Sequence, residues 1–376
     1  MSHLIYFDNA ATTPLDGEVL EVMLPFMKEN FGNPSSSYSA GRTARLGLEA
    51  ARKKVAQLLG VSPFTIFFTS GGTESNNTAI AASVRDLGCT HIITSPIEHH
   101  AVLHTVAYYS RHNNIPFTLA TLTENGEVDY NDLEQQLQSL TRAGKKVLVS
   151  LMHANNEIGT LLDLERVGKL CKQYQAIFHS DCVQTVGHYP LNLIEAGVHF
   201  ISGAGHKFHG PKGVGLLYVS NEVKIEPLLY GGGQERNLRA GTENVYGIVG
   251  FARALELAMQ SHEKESQYID QLKQYMKLQL TNTIPGVSFN SPANSLYTVL
   301  SVCFPQSPKT ESLLLNLDMA GICVSSGSAC TTGEASHVIK ALRKNNNSTT
   351  IRFSFSKFNT QSEIDVVVAK LQELLS

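Results

Sequence analysis

The sequence predicts an α/β protein in which a mostly parallel sheet is wrapped by helices on both faces and followed by a smaller unit. Three observations carry this. Short apolar runs of strand length alternate with stretches whose apolar residues recur at helical spacing. One long helical stretch, roughly Val245 to Asn282, has neither Pro nor an internal Gly after Gly250. Beyond it the pattern changes to fewer, longer strands. A chain of 376 residues is too long for one simple core, and the boundary is placed inside the long helix, near 260.

Taken in order, Leu46 to Leu59 reads as a helix closed by Gly60. Thr65–Thr69 is a buried-strand pattern, and Ser70-Gly71-Gly72-Thr73 follows it at a helix start. Further strands are expected at His91–Ser95, Val147–Met152, Ile177–Ser180, His199–Ser202 and Gly215–Val219, with helices at Tyr130–Thr141 and Leu164–Tyr174 between them. After the long helix come a strand at Ser295–Phe304, a polar turn at Asn345-Asn346-Asn347 and an amphipathic helix at Thr360–Leu375.

Composition excludes several function classes. A formal charge of -3 gives no basic footprint for nucleic acid. No apolar run approaches a membrane span, and Met1–Asp8 lacks the regions of a signal peptide. The six cysteines show neither a C-x-x-C pair nor zinc spacing, so no metal site is expected. They read as reduced thiols of a cytoplasmic protein.

Five stretches carry chemistry. Lys207, in Gly203-Ala204-Gly205-His206-Lys207, follows an apolar strand amid small residues. A lysine crowded in this way loses hydration, which favours a nucleophilic amine able to form a Schiff base; the commoner alternative is a surface lysine on a glycine-rich turn. Ser70-Gly71-Gly72-Thr73 can offer helix-start amides to a phosphate, or be a simple capping turn. Asp181 stands at the carboxyl end of a core strand, where ligands bind in open α/β sheets. A buried carboxylate there suits a protonated pyridine nitrogen or caps the next helix. His99, in Glu98-His99-His100, can stack on a ring or move protons near neutral pH. Cys330, in Ser325-Ser326-Gly327-Ser328-Ala329-Cys330, sits among small residues that predict an accessible loop and a usable thiolate. Cys323, inside an apolar run, reads as core.

The order and spacing of these stretches are more specific than any one of them. Together with Tyr6–Pro14, Gly32–Ser36, Asn155–Gly159, Gly231–Glu235 and Arg239–Thr242, they make the chain resemble, end to end, the cysteine desulfurases of the NifS/IscS-like group. These belong to the class V aminotransferase-like, fold-type I enzymes. The resemblance implies a seven-stranded large domain over 16–260 that binds pyridoxal 5'-phosphate. It also implies a small α+β domain of 1–15 and 261–376 that carries the Cys330 loop. By the same resemblance Lys207 holds the cofactor and moves protons, Asp181 pairs with the pyridinium nitrogen, and His99 stacks on the ring. Gln184 and Asn155 lie near the phenolic oxygen, and Gly72, Thr73 and His206 hold the phosphate, with Thr242 reaching in from the second subunit of a homodimer. Arg352, helped by Asn33, grips the carboxylate of L-cysteine. Cys330 takes the sulfur as a persulfide, for an acceptor protein serving iron–sulfur cluster assembly or thiolation.

The chain departs from the family pattern in four places. Ala204 stands where the family has a serine, which removes one phosphate hydroxyl worth about 1.5–3 kcal/mol at most. Tyr38 replaces a histidine, and Cys182 a small residue, read here as packing. The stretch from Cys330 to Arg352 is shorter than in housekeeping members. Two other readings follow from the scaffold: a different enzyme with the same cofactor, such as a selenocysteine or cystine lyase or an aminotransferase, and a non-enzymatic cofactor-binding partner.

Overall fold

The structure is a computed structural model that describes residues 4–326, 336–342 and 348–376. In chain order the first half carries β1 (Ile5–Tyr6), α1 (Gly17–Lys28), α2 (Ser39–Leu58), β2 (Ile66–Thr69), α3 (Gly72–Arg85), β3 (His91–Thr94), α4 (His100–Asn113), β4 (Phe117–Leu119) and α5 (Tyr130–Arg142). Then follow β5 (Val147–Ser150), α6 (Leu164–Gln173), β6 (Ile177–Asp181), β7 (Phe200–Ala204), β8 (Gly215–Val219) and α7 (Val245–Thr283). The remainder holds β9 (Ser288–Phe289), β10 (Val299–Pro305), α8 (Pro308–Glu311), α9 (Leu313–Met319), β11 (Ile322–Cys323), α10 (His337–Ala341), β12 (Ser348–Ser354) and α11 (Gln361–Leu375).

Seven strands form the main sheet in the order β2-β8-β7-β6-β5-β3-β4, and only β8 runs against its neighbours. Adjacent residues of one strand feed different cores. Val147, Val149, Phe178 and Ile201 enter one apolar cluster, and Leu148, Ile177 and Phe200 the other. Both faces are therefore covered, which explains why these strands read as continuous apolar runs. Because β2, β3, β5, β6 and β7 are parallel, their carboxyl ends and the turns that follow lie along one edge of the sheet.

The long helix α7 packs Ile248–Leu255 into the first cluster and Ile269–Leu280 into a third. That third cluster also takes Ile5 and Phe7 from the N-terminus, Val302 and Phe353 from β10 and β12, and Ile364 and Val367 from α11. Ile5 and Phe7, near the start of the described residues, are thus part of the C-terminal core.

The departures from the sequence reading have local causes. Helix α2 begins at Ser39 rather than Leu46, since its first turns are polar or glycine and pack by close approach: a Cβ at Gly41 would meet the Ser36 carbonyl oxygen at 2.5 Å. The expected strand Ser295–Phe304 starts only at Val299, because the Leu296 N–H is spent on the Gly159 carbonyl across the fold. β4 has three residues at the sheet edge and shows no apolar run to detect. Cys323 is partly exposed rather than core. Asn345–Asn347 and Cys330 lie outside the described residues.

Phe251 of α7 packs edge-on against Phe68 of β2 and Phe208, whose ring centroids lie 6.0 and 5.2 Å away, and is fully buried. Since Phe208 directly follows Lys207, Phe251→Ala is expected to cost about 3–5 kcal/mol, read as a lowered denaturation midpoint. An unchanged midpoint would refute this packing.

Candidate active site

Residues from the sheet edge, the N-terminal segment and β12 converge on a cleft of about 260 Å³. Its walls include Ala10, Ala11, Gly72, Thr73, Asn76, His99, Asp181, Gln184, His206, Lys207 and Arg352. The sequence reading named eight of these: Gly72, Thr73, His99, Asp181, Gln184, His206, Lys207 and Arg352. Asn155 and Asn33 are not among the lining residues. The Asn155 amide is consumed by the Ile97 carbonyl (2.8 Å) and the Glu157 and Ile158 N–H groups (2.8 and 2.9 Å). Asn33 is exposed, and its side-chain oxygen accepts from the Ser35 N–H. Thr242 is exposed and does not line the cleft of its own chain.

Lys207 ends the single turn after β7 and donates from Nζ to the Ala10 and Ala11 carbonyls at 2.7 and 2.8 Å. The amine is thus half-buried and hydrogen-bonded, not merely stripped of water as crowding alone would have it. Gln184 Nε2 donates to the same Ala10 carbonyl (3.1 Å). Behind the lysine, His188 Nε2 donates to the Lys207 carbonyl (3.0 Å), and Tyr297 hydroxyl donates to the His188 carbonyl (3.0 Å).

Asp181 does both things its position allows. One carboxylate oxygen accepts from the Val183 N–H (3.0 Å), and the other from Asn76 Nδ2 (2.6 Å), a residue the sequence reading missed. Asn76 Oδ1 is buried without a partner. On α3, Gly71 supplies no side-chain cap, so the first-turn N–H groups are left for an outside acceptor. Gly72 has no room for a side chain: a Cβ would meet Val183 Cγ2 at 2.5 Å. Ala204 borders the same corner.

His99 caps α4, its Nδ1 accepting from the Ala101 N–H (3.1 Å), so the ring proton of the neutral form sits on Nε2. Burial lowers its pKa against the opposing pull of Asp181, with Lys207 adding to the lowering. Its neighbour Glu98 is pushed up to about 8 by burial and by Asp181, which outweigh hydrogen bonds from Met152 and Ser95. Arg352 is 2% exposed and donates to the Asn156 carbonyl (2.8 Å) and to Asp8 (2.7 Å), while its Nε has no partner. No group of described residues could hold a metal ion.

Cys330 lies outside the described residues, and the chain on each side of it is anchored beside the cleft. Ser325 pairs with Arg352 of β12 through two main-chain hydrogen bonds. On the other side Ser336 donates to the Glu157 carboxylate, and His337 donates to the Glu98 carbonyl (2.9 Å).

The donor set fits pyridoxal phosphate: an amine, a carboxylate at a strand end, an imidazole and uncapped helix amides face one cleft. The family described as Aminotransferase class-V matches residues 5–367. A protein named cysteine desulfurase IscS, from Dictyoglomus turgidum, is 42% identical over 382 residues, all of this chain and 95% of the relative. Another of that name, from Methanosarcina thermophila, is also 42% identical, over 99% of this chain and 92% of its own. Among solved structures, a NifS-like protein superposes with a TM-score of 0.92 at 39% identity, covering 99% of each chain. SspA, solved in complex with cysteine, gives 0.83 at 30% identity over 95% of this chain and all of its own.

Burial lowers His153, His179, His188, His206 and His209 from 6.5 to about 4. The folded chain therefore binds fewer protons than the unfolded one between those values. The stability these five histidines contribute is full above pH 6.5 and is lost as pH falls toward 4. The melting temperature of the apoprotein is expected to fall steeply over that window, and His209→Gln to flatten the slope. A melting temperature constant across the window would contradict this reading.

Proposed function

This chain belongs to the class-V aminotransferase family and to its cysteine desulfurases, and we propose that it moves the sulfur of L-cysteine onto Cys330, with Lys207, Asp181 and Arg352 as the residues that make this possible. What supports the reading is the meeting of those three side chains in one cleft, with the chain on both sides of Cys330 anchored at its rim.

Pyridoxal phosphate, when bound, supplies an electron sink for the pair left on carbon as the carbon–sulfur bond breaks. The protein does the rest. Residues 16–260 form the cofactor-binding unit, and 1–15 with 261–376 the unit bearing Cys330. Gly72 and Thr73 at the α3 start would hold the phosphate with His206, which burial keeps neutral, and Thr242 of a second copy would complete the seat. Asp181, oriented by Asn76 and Val183, would pair with the ring nitrogen, and His99 would stack on the ring. Arg352, pre-aimed by Asp8, would offer its remaining terminal N–H groups to the substrate carboxylate. Lys207 moves the proton at the substrate α-carbon. The Cys330 thiolate then attacks the substrate sulfur: the new sulfur–sulfur bond forms as the carbon–sulfur bond breaks, and protonation of the carbon yields alanine. The persulfide passes to an acceptor protein in the cytoplasm, in iron–sulfur cluster assembly or thiolation.

Incubation with L-cysteine and a reductant is expected to release alanine and sulfide in equal amounts. Cys330→Ala is expected to stop both while keeping the visible absorbance of the bound cofactor, and Lys207→Ala to lose that absorbance. Alanine production unaffected by Cys330→Ala would refute the persulfide route. Ala204→Ser should tighten cofactor binding by about 1.5–3 kcal/mol at most; an unchanged dissociation constant would mean that position 204 does not face the phosphate.

A further inference from the structure

Two ion pairs outside the cleft meet on one strained segment. Glu235, Arg236 and Asn237 are consecutive non-glycine residues with φ of 44°, 56° and 67°, a left-handed run that costs roughly 1–2 kcal/mol per residue. A buried fork holds it: Arg52 donates to the two Glu235 oxygens at 2.7 and 2.9 Å, and the Phe68 N–H donates to one of them at 2.9 Å. Arg52 and Glu235 are 1% and 4% exposed, so this pair is part of the core. Strain retained in this way marks a segment whose shape matters.

Two residues beyond the run, Arg239 donates to the two Glu74 oxygens at 2.9 and 3.2 Å. Glu74 also accepts from the Ser70 N–H (2.9 Å). Burial pushes the Glu74 carboxyl up, but Arg239 and Ser70 outweigh it and hold it below its ordinary value. The carboxylate touches Ser70 and belongs to the residue after Thr73, so it lies within about 10 Å of the Gly72 and Thr73 N–H groups. Over that distance salt screens a charge only partly. A phosphate seated on those amides meets a second negative charge unless something cancels it.

We propose that Arg239 is a positioning residue for the phosphate turn: it cancels the Glu74 charge and fixes that carboxylate on Ser70, while Arg52 and Glu235 hold the strained segment that aims it. This rests on the reading of Ser70–Thr73 as the phosphate seat. It also gives the left-handed run a purpose, since relaxing the run would swing Arg239 away from α3.

The test titrates apoprotein with pyridoxal phosphate, followed by the visible absorbance of the lysine-bound cofactor, and with inorganic phosphate, followed by the melting temperature. Arg239→Met is expected to raise the dissociation constant for pyridoxal phosphate about tenfold and to shrink the stabilisation by phosphate. Adding Glu74→Gln is expected to restore binding to within about threefold of wild type, because the repelling charge is gone. Arg239→Met that binds like wild type, or a double variant as weak as the single, would overturn the proposal. Should Arg239→Met fail to fold, Glu74→Gln alone decides: it should bind at least as tightly as wild type, and a tenfold loss overturns the idea. A wild type that never develops the absorbance would instead overturn the cofactor reading, and the phosphate titration would still test the charge pair.

Discussion

Seven residues near the N-terminus, Asp8–Pro14, hold Lys207, Gln184, His206 and Arg352 in one frame, and the rest of the cleft depends on them. Asp8 fixes Arg352, the Ala10 and Ala11 carbonyls hold the Lys207 amine, and Ala10 also receives Gln184. Thr12 meets His206, Thr13 accepts the His209 N–H and donates to the His206 carbonyl, and the Pro14 carbonyl meets His209. The same stretch follows β1 and Phe7, which belong to the C-terminal core. A single irregular strand thus ties the lysine turn of the sheet to the arginine strand of the smaller unit. Main-chain carbonyls suit this task because their positions are fixed by backbone geometry rather than by rotamers.

The electrostatics follow from burial. Histidines around the lysine are kept neutral, so they act as hydrogen-bonding groups rather than as competing cations for a phosphate or a carboxylate. The charged groups that remain at the cleft are held by named partners: Asp181 by Asn76 and Val183, Arg352 by Asp8 and Asn156. Glu98, buried behind the cleft beside His99, accepts from Ser95 and Met152 on one oxygen while the other is unpartnered, and burial raises its pKa to about 8. Pre-aimed groups of this kind need no reorganisation when charge develops in the reaction.

Much of this was legible in the sequence. β8 runs over Gly215–Val219 as its apolar residues predict, and the helices at Tyr130 and Leu164 start where their periodicity places them, the structure adding Asp129 and Asp163 as their caps. Eight of the residues named from the sequence line the cleft: Gly72, Thr73, Asp181 and Lys207 sit at a strand end or a glycine-marked turn, where residue type and local pattern agree, while Gln184, His206 and Arg352 were legible only through the family resemblance. What escaped depends on long-range contact. Asn76 is one more polar residue on a helix until β6 brings Asp181 within 2.6 Å. Glu98 and Glu157 look like surface acids until tertiary packing buries them. The carbonyls of Ala10 and Ala11 carry no side-chain signal. Asn33 and Asn155, named from motif position, do not line the cleft, and nearby backbone amides donate to their side-chain oxygens.

The central claim is that an amine at 207 and a thiol at 330 serve one bound substrate. Mass spectrometry of the intact protein and its peptides after brief exposure to L-cysteine, without reductant, tests it most directly. The account predicts one added sulfur atom, confined to the peptide that contains Cys330 and absent from the Lys207→Ala protein. Sulfur found on Cys89, Cys171, Cys182, Cys303 or Cys323 instead, or found equally on Cys330 without Lys207, would contradict it.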